Sequence, residues 1–210
     1  MVNVLADLAI ESEAATAVAL RLARAYDEAP GDPGADAFKR VATAVAKYHI
    51  CKRAPGHAYE ALECFGGNGY VEASGMPRLY REAPLASIWE GSGNVMALDV
   101  LRALGRTPAA LDAFLVEVDV AAGADHRFDA FVAATRNELT DPEALESRAR
   151  RVVERLALCL QGSLLVRHAP PEVADAFCAA RLAGDAGLSY GTLPPGVDAQ
   201  AIVERHTPTA

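Results

Sequence analysis

Apolar residues Val4, Leu5, Leu8, Ala15, Val18, Leu22 and Ala25 recur near the helical period, and the pattern stops at Pro30-Gly31-Asp32-Pro33-Gly34. This predicts one helix and then a loop. A second helix is predicted from about 35 to 65, carrying Phe38, Val41, Val45 and Tyr48, with Pro55 inside it removing one N–H and bending it. A third is predicted over about 92–104, after which Gly105 and Pro108 mark a domain boundary. Beyond Thr107, helical patterns fall at about 109–121, 128–139, 142–167 and 171–183. In the longest of these, Leu145, Ala149, Val152, Val153, Leu156, Leu160 and Leu164 form an apolar stripe, while Arg148, Arg151 and Arg155 line another face. No alternation lasts long enough to propose a strand.

These patterns predict an all-α chain: a helical bundle over 1–105, an additional small helical domain over 106–190, and a poorly ordered tail over 191–210 with a short turn near 200–205. A length of 210 residues leaves room for one or two small domains, and a 51% apolar composition with only 6% aromatics suits alanine-rich packed helices. Apolar helix faces left over should meet a second copy of the chain, which predicts a homo-oligomer.

The formal net charge is −8, of which −5 lies from Arg106 onward, where 10 Arg face 15 Asp and Glu. That balance disfavours nucleic acid, whose phosphates bind positive charge, and the arginine stripe reads as a solvated face. Cys51, Cys64, Cys159 and Cys178 show neither a CxxC pair nor the spacing of a metal site. With no signal peptide and no membrane-length apolar run, they read as buried thiols of a cytoplasmic protein. His49, His57, His126, His168 and His206 stand without partners at any telling interval, so no metal site, zinc hydrolase or Cys-His enzyme is predicted.

The richest chemistry lies in Phe65 to Asn94, FGGNGYVEASGMPRLYREAPLASIWEGSGN, where two glycine-dense turns flank an Arg81-Glu82 pair. Gly66-Gly67 ends the second helix, where positive φ and close approach to bare N–H groups become available to a phosphate. Ile88-Trp89 puts an apolar wall beside Glu90, and Gly91-Ser92-Gly93-Asn94 opens the next helix with Ser92 or Asn94 as N-cap. Gly67-Asn68-Gly69 is followed by Tyr70, Val71 and Glu72 where a dinucleotide fingerprint needs its third glycine, and no strand precedes it, so a Rossmann reading is rejected.

In this order the pieces resemble the C-terminal domain of the acyl-CoA dehydrogenase family, with its GGxGY turn, R-D/E pair and Y/W-E-G-T/S turn. The likeness is strongest to its AidB-like branch, through ECFGGNGY, SGMPRLYREAP, SIWEGSGNV and NVLADLAIESEAATA. It is dense in the first half and loose in the second, where it implies that branch's extra helical domain. The resemblance implies that the chain is the C-terminal part of a longer FAD-dependent enzyme that oxidises an acyl-CoA thioester, and that it is incomplete alone. Glu90 matches the base that removes the α-proton. Gly66 and Gly67 match the turn that reaches the FAD of a neighbouring subunit, and Gly91, Ser92 and Asn94 match positions lining the flavin. Glu63 stands where the family often has glutamine, Ser92 where threonine is commoner, and Asn94 where glutamine is commoner. A base at this place needs a raised pKa, which burial against Ile88 and Trp89 would supply. A reading from another class is a non-catalytic oligomerisation or DNA-associated module of the adaptive response to alkylation.

Overall fold

Alanines spaced along the first two helices let their backbones approach closely. Helix α1 (Val2–Glu28) and helix α2 (Pro33–Cys64) pack together, burying Ala6, Ile10, Ala14 and Val18 with Phe38, Val41, Ala42 and Val45 in one core. The computed structural model describes residues 1–140 and 145–208, and among them every regular element is helical. The loop between the two helices ends where the Asp32 side chain accepts the Gly34 N–H at 2.7 Å, capping α2. As the sequence predicts, α2 carries Pro55 inside it.

After α2 come the short helices α3 (Gly67–Tyr70) and α4 (Met76–Glu82), a 3₁₀ turn over Ala83–Ser87, and then α5 (Gly93–Arg106). Helix α5 lies back along α2, as do the following α6 (Pro108–Asp119) and α8 (Ala149–His168), while α7 (His126–Leu139) packs on α8. The predicted stripe of α8 is confirmed: Ala149, Val152, Val153, Leu156, Leu160 and Leu164 are all buried. The N-terminal part of that prediction differs. Residues 145–148 form a turn ahead of the helix, and 142–144 lie outside the described residues. The expected boundary near Gly105 coincides with the tight α5–α6 corner, yet Val45, Val100, Phe114 and Leu160 from both sides belong to one contiguous core. Phe38 of α2 and Phe114 of α6 stack with ring centroids 6.0 Å apart.

Helix α9 (Pro171–Phe177) runs into a π-helical turn over Cys178–Leu182, where the Ala183 N–H reaches the Cys178 carbonyl at 2.9 Å. The tail from Gly191 is more ordered than its composition suggests. Leu193 and Ile202 are buried, helix α10 (Ala199–His206) packs on α1, and Asn3 both accepts the Leu193 N–H and donates to its carbonyl. Its few apolar residues, separated by Pro194-Pro195-Gly196, gave no period to read.

A buried polar cluster underlies this tail. Asp7 and Glu11, one turn apart on the inner face of α1, meet Arg53 of α2 and Arg181 of the π-helical turn. Arg53 donates to both Glu11 oxygens at 3.1 and 2.8 Å and to the Tyr190 hydroxyl. Burial alone would raise the Glu11 pKa, but Arg53 and then Arg181 hold it below its ordinary value. His49 sits against this group, 5% exposed, and burial pushes its pKa from 6.5 down to about 4 despite the pull of Glu11. The unfolded chain therefore binds a proton near pH 6.5 that the folded chain refuses until about pH 4. Stability that His49 leaves intact above pH 6.5 is lost as pH falls through that window, by about 2 kcal/mol between pH 7 and pH 5. Urea midpoints at the two pH values, compared with those of His49→Gln, measure this: the variant should lose the share of the pH dependence due to His49, leaving that of His57, whose pKa burial also lowers.

Candidate functional site

The two glycine turns sit at different places along α2. Gly66 follows the helix end with φ 58° and ψ −142°, a conformation costly for any residue with a side chain, and space for a Cβ there is open. Its own N–H is taken by the Glu63 carbonyl at 2.9 Å, so it is not the bare donor that the sequence suggests, and what it offers is close approach beside Gly67. Gly69 has a different reason. A Cβ built on it would stand 2.0 Å from the Leu62 carbonyl oxygen, so only glycine lets α3 fold back against the end of α2. Gly66, Gly67 and Glu63 all face solvent.

Between the turns, Arg81 forms a two-pronged pair with Glu72 at 2.7 and 3.0 Å, while Glu82 pairs with Arg78 at 3.1 Å. The adjacent Arg81-Glu82 of the sequence motif thus act as two separate staples of α4. Burying little, such exposed pairs fix the loop's path more than they stabilise it.

The second turn carries the only positive-φ residue other than glycine among the described residues. Glu90 has φ 51°, followed by Gly91 at 111°. Ile88 is 64% exposed, Trp89 is 59% exposed, and the Glu90 carboxylate is exposed beside them. The apolar wall is therefore present but does not cover the carboxylate within this chain, because the wall itself faces outward. Ser92 occupies the N-cap position of α5 without making a side-chain cap bond. The Asn94 amide oxygen accepts from Arg150 Nε of α8 at 2.6 Å, which ties the turn to the second half of the chain.

The half of the motif at Glu90 lies beside Lys47, whose ammonium binds carbonyls of Ala86 and Trp89, whereas Gly66-Gly67 lies past the end of α2. At 1.5 Å per residue, the stretch of α2 from Lys47 to Cys64 spans roughly 25 Å. One copy of the chain thus presents the two turns as separate surfaces. Beside one turn or the other, Phe65, Tyr70, Val71, Leu79, Ile88 and Trp89 are exposed apolar side chains.

Two arginines of the α8 stripe already have partners within the chain. Arg151 donates to Glu138 at 3.0 and 2.7 Å, and Arg155 donates to Thr135 Oγ1 at 3.1 Å while lying 4.2 Å from the Phe131 ring centre. Arg151 first, then Arg155 and Arg148, hold the Glu138 carboxyl below its ordinary pKa against its partial desolvation. Arg151 and Arg155 converge on this one carboxylate of α7. Of the cysteines, Cys159 and Cys178 are buried, with burial pushing their thiols up to about 11 and about 12, while Cys51 and Cys64 are only half-buried. No group of His, Cys, Asp or Glu that could hold a metal occurs among the described residues, and none of their helices is long and apolar enough to cross a membrane.

Sequence reasoning passed over Lys47, Arg53, Arg181 and His49. A signal existed for the cluster: Asp7 and Glu11 interrupt the inward face of an otherwise apolar helix, and carboxylates so placed require buried partners.

Residues 1–105 match the family model of the acyl-CoA dehydrogenase C-terminal domain. The putative acyl-CoA dehydrogenase AidB of Escherichia coli (strain K12) is 40% identical over 178 residues, which are 85% of this chain and 32% of that protein. Acyl-CoA dehydrogenase family member 11 of Caenorhabditis elegans is 32% identical over 149 residues, 62% of this chain and 24% of that protein. The crystal structure of Caenorhabditis elegans ACDH-11 in complex with C11-CoA superposes with a TM-score of 0.72 at 25% identity, covering 96% of this chain and 39% of that one. The chain spans about a third or less of the curated relatives it matches. With the glycine turns and the Trp-Glu-Gly corner in place on an all-helical frame, the chain belongs to the acyl-CoA dehydrogenase family, on its AidB-like side.

Proposed function

We propose that this chain is the C-terminal part of an AidB-like, FAD-dependent acyl-CoA dehydrogenase, in which Glu90 removes the α-proton of an acyl-CoA thioester. The observation that carries the reading is the Glu90 corner: a carboxylate held at positive φ, directly after an exposed apolar pair and three residues before a buried helix start at Gly93. A surface docking on Ile88 and Trp89 would exclude water from the carboxylate and raise its basicity toward the operating pH. Glu90 then takes the proton from the carbon next to the thioester, and a double bond forms as the neighbouring carbon loses hydride. FAD would supply the hydride acceptor.

The residues fit such a group. Gly66 and Gly67 leave open space where side chains would stand, and the exposed Ser92 hydroxyl and Asn94 amide can hydrogen-bond a heterocycle, with Arg150 fixing the Asn94 orientation. The distance along α2 supports a homo-oligomer in which Gly66-Gly67 of one copy serves the cofactor of another, and the exposed apolar side chains beside each turn support the same packing. That ACDH-11 was crystallised with C11-CoA supports an acyl-CoA as substrate. The pairing of Arg151 and Arg155 weighs against a DNA-contacting role for the α8 stripe, and the reading carries a cytoplasmic location.

Because this chain supplies only part of such a site, it should not retain one FAD per copy through gel filtration by itself. The full-length protein should be yellow, and anaerobic addition of an acyl-CoA should bleach it. A full-length protein that binds FAD but is bleached by no member of a panel of acyl-CoA thioesters would overturn the dehydrogenase reading and favour the non-catalytic module.

A further inference from the structure

Lys47 lies midway along α2, half-buried between the core residues Ala46 and Tyr48. Among the described residues its ammonium pairs with no carboxylate. It donates to two main-chain carbonyls of the facing loop, that of Ala86 in the 3₁₀ turn and that of Trp89 at 3.1 Å. A cation placed on the carbonyl end of a short helical turn makes charge-assisted bonds with acceptors that the turn leaves open.

The Trp89 carbonyl belongs to the peptide that enters Glu90. The φ angle of Glu90 is the rotation about its N–Cα bond that relates that peptide plane to its own carbonyl carbon, and the fixed configuration at Cα then sets the direction of Cβ. Fixing the plane while φ stands at 51° therefore fixes the direction in which the Glu90 side chain leaves the backbone. Left to itself, a residue with a side chain gains by leaving this left-handed conformation, and the neighbouring peptide is the part that would turn. Downstream the corner is already held, because the Met96 N–H bonds the Ser92 carbonyl at 2.9 Å as α5 begins. Upstream, the 3₁₀ turn is closed by the Ile88 and Trp89 N–H groups on the Leu85 carbonyl, which leaves the Trp89 carbonyl to Lys47.

We propose that Lys47 is a positioning residue: its ammonium clamps the Ala86 and Trp89 carbonyls and so aims the Glu90 carboxylate. The proposal rests on the reading of Glu90 as the base only for its catalytic consequence. The clamp itself is testable without it, because Trp89 is the single tryptophan of the chain and sits inside the clamped segment.

In this chain, Lys47→Met and Lys47→Gln should each lower the fluorescence anisotropy of Trp89 and increase its quenching by acrylamide, with the far-UV circular dichroism of the helices unchanged. Lys47→Arg, which keeps cationic donors, should restore much of the wild-type signal. In the full-length protein, Lys47→Met should slow flavin reduction by acyl-CoA about 10- to 100-fold, as expected of a misplaced reacting group, with thioester binding unchanged. Combined with Glu90→Gln it should add little further loss, since both act on one group. Unaltered Trp89 signals in both neutral variants, with the fold intact, would overturn the clamp. A moved Trp89 signal with Glu90→Gln fully active would keep the clamp and overturn the assignment of the base.

Discussion

In the longer FAD-dependent enzyme proposed above, Glu90→Gln is expected to lower the rate of flavin reduction by an acyl-CoA roughly 10²- to 10⁴-fold, the usual effect of removing a general base. Glutamine keeps the length and hydrogen-bonding reach of the side chain and removes only the group that accepts the proton. Both residues meet the same backbone penalty at φ 51°, so the corner should keep its shape and FAD should remain bound. Rapid-mixing measurement of flavin bleaching, with FAD content checked first, decides the matter. Equal rates in wild type and variant would place the base on another segment.

The corner's chemistry was legible in the sequence because it depends on local signs: a carboxylate, two glycines and an apolar pair within a few residues. Its environment was not. Ile88 and Trp89 would desolvate a carboxylate if something covered them, but both remain largely exposed on this chain, and burial by another surface leaves no mark on local periodicity. The same division runs through the fold. Helices α1, α2, α5 and most of α8 follow from spacing alone, since each buries a stripe against a neighbour. Contacts between distant residues do not. Glu11 on the inward face of α1 calls for a buried cation, but nothing local in the sequence names Arg53 as that partner until the fold brings α1 and α2 together. The arginines of α8 read as a solvated stripe, and the structure turns two of them onto Glu138 of α7, a pairing set by how two helices pack. In α10, a single fully buried residue, Ile202, anchors a helix whose remaining composition is that of a loose tail.

Arg181→Met should destabilise the fold by about 3–5 kcal/mol, the cost of leaving a buried carboxylate without its cation. Asp7 is 1% exposed, and Arg181 is the cation that bonds it. Methionine fills the same volume along the chain's stem but returns no charge, so Asp7 keeps only the Gly191 N–H, 2.9 Å from its second oxygen. A loss of that size is a large part of the roughly 5–15 kcal/mol that separates folded from unfolded domains, and it should lower the melting temperature by about 10 °C. The damage should also be local. The Asp7 carboxylate joins the π-helical turn and the start of the tail to α1, so a displaced carboxylate releases both, and protease cleavage near 184–191 should rise before global unfolding. Pairing the substitution with Asp7→Leu removes the orphaned charge together with its partner, and should recover much of the loss. If the double variant is as unstable as the single one, the buried pair contributes through packing of the arginine stem, and the electrostatic account of how the tail is held to α1 fails.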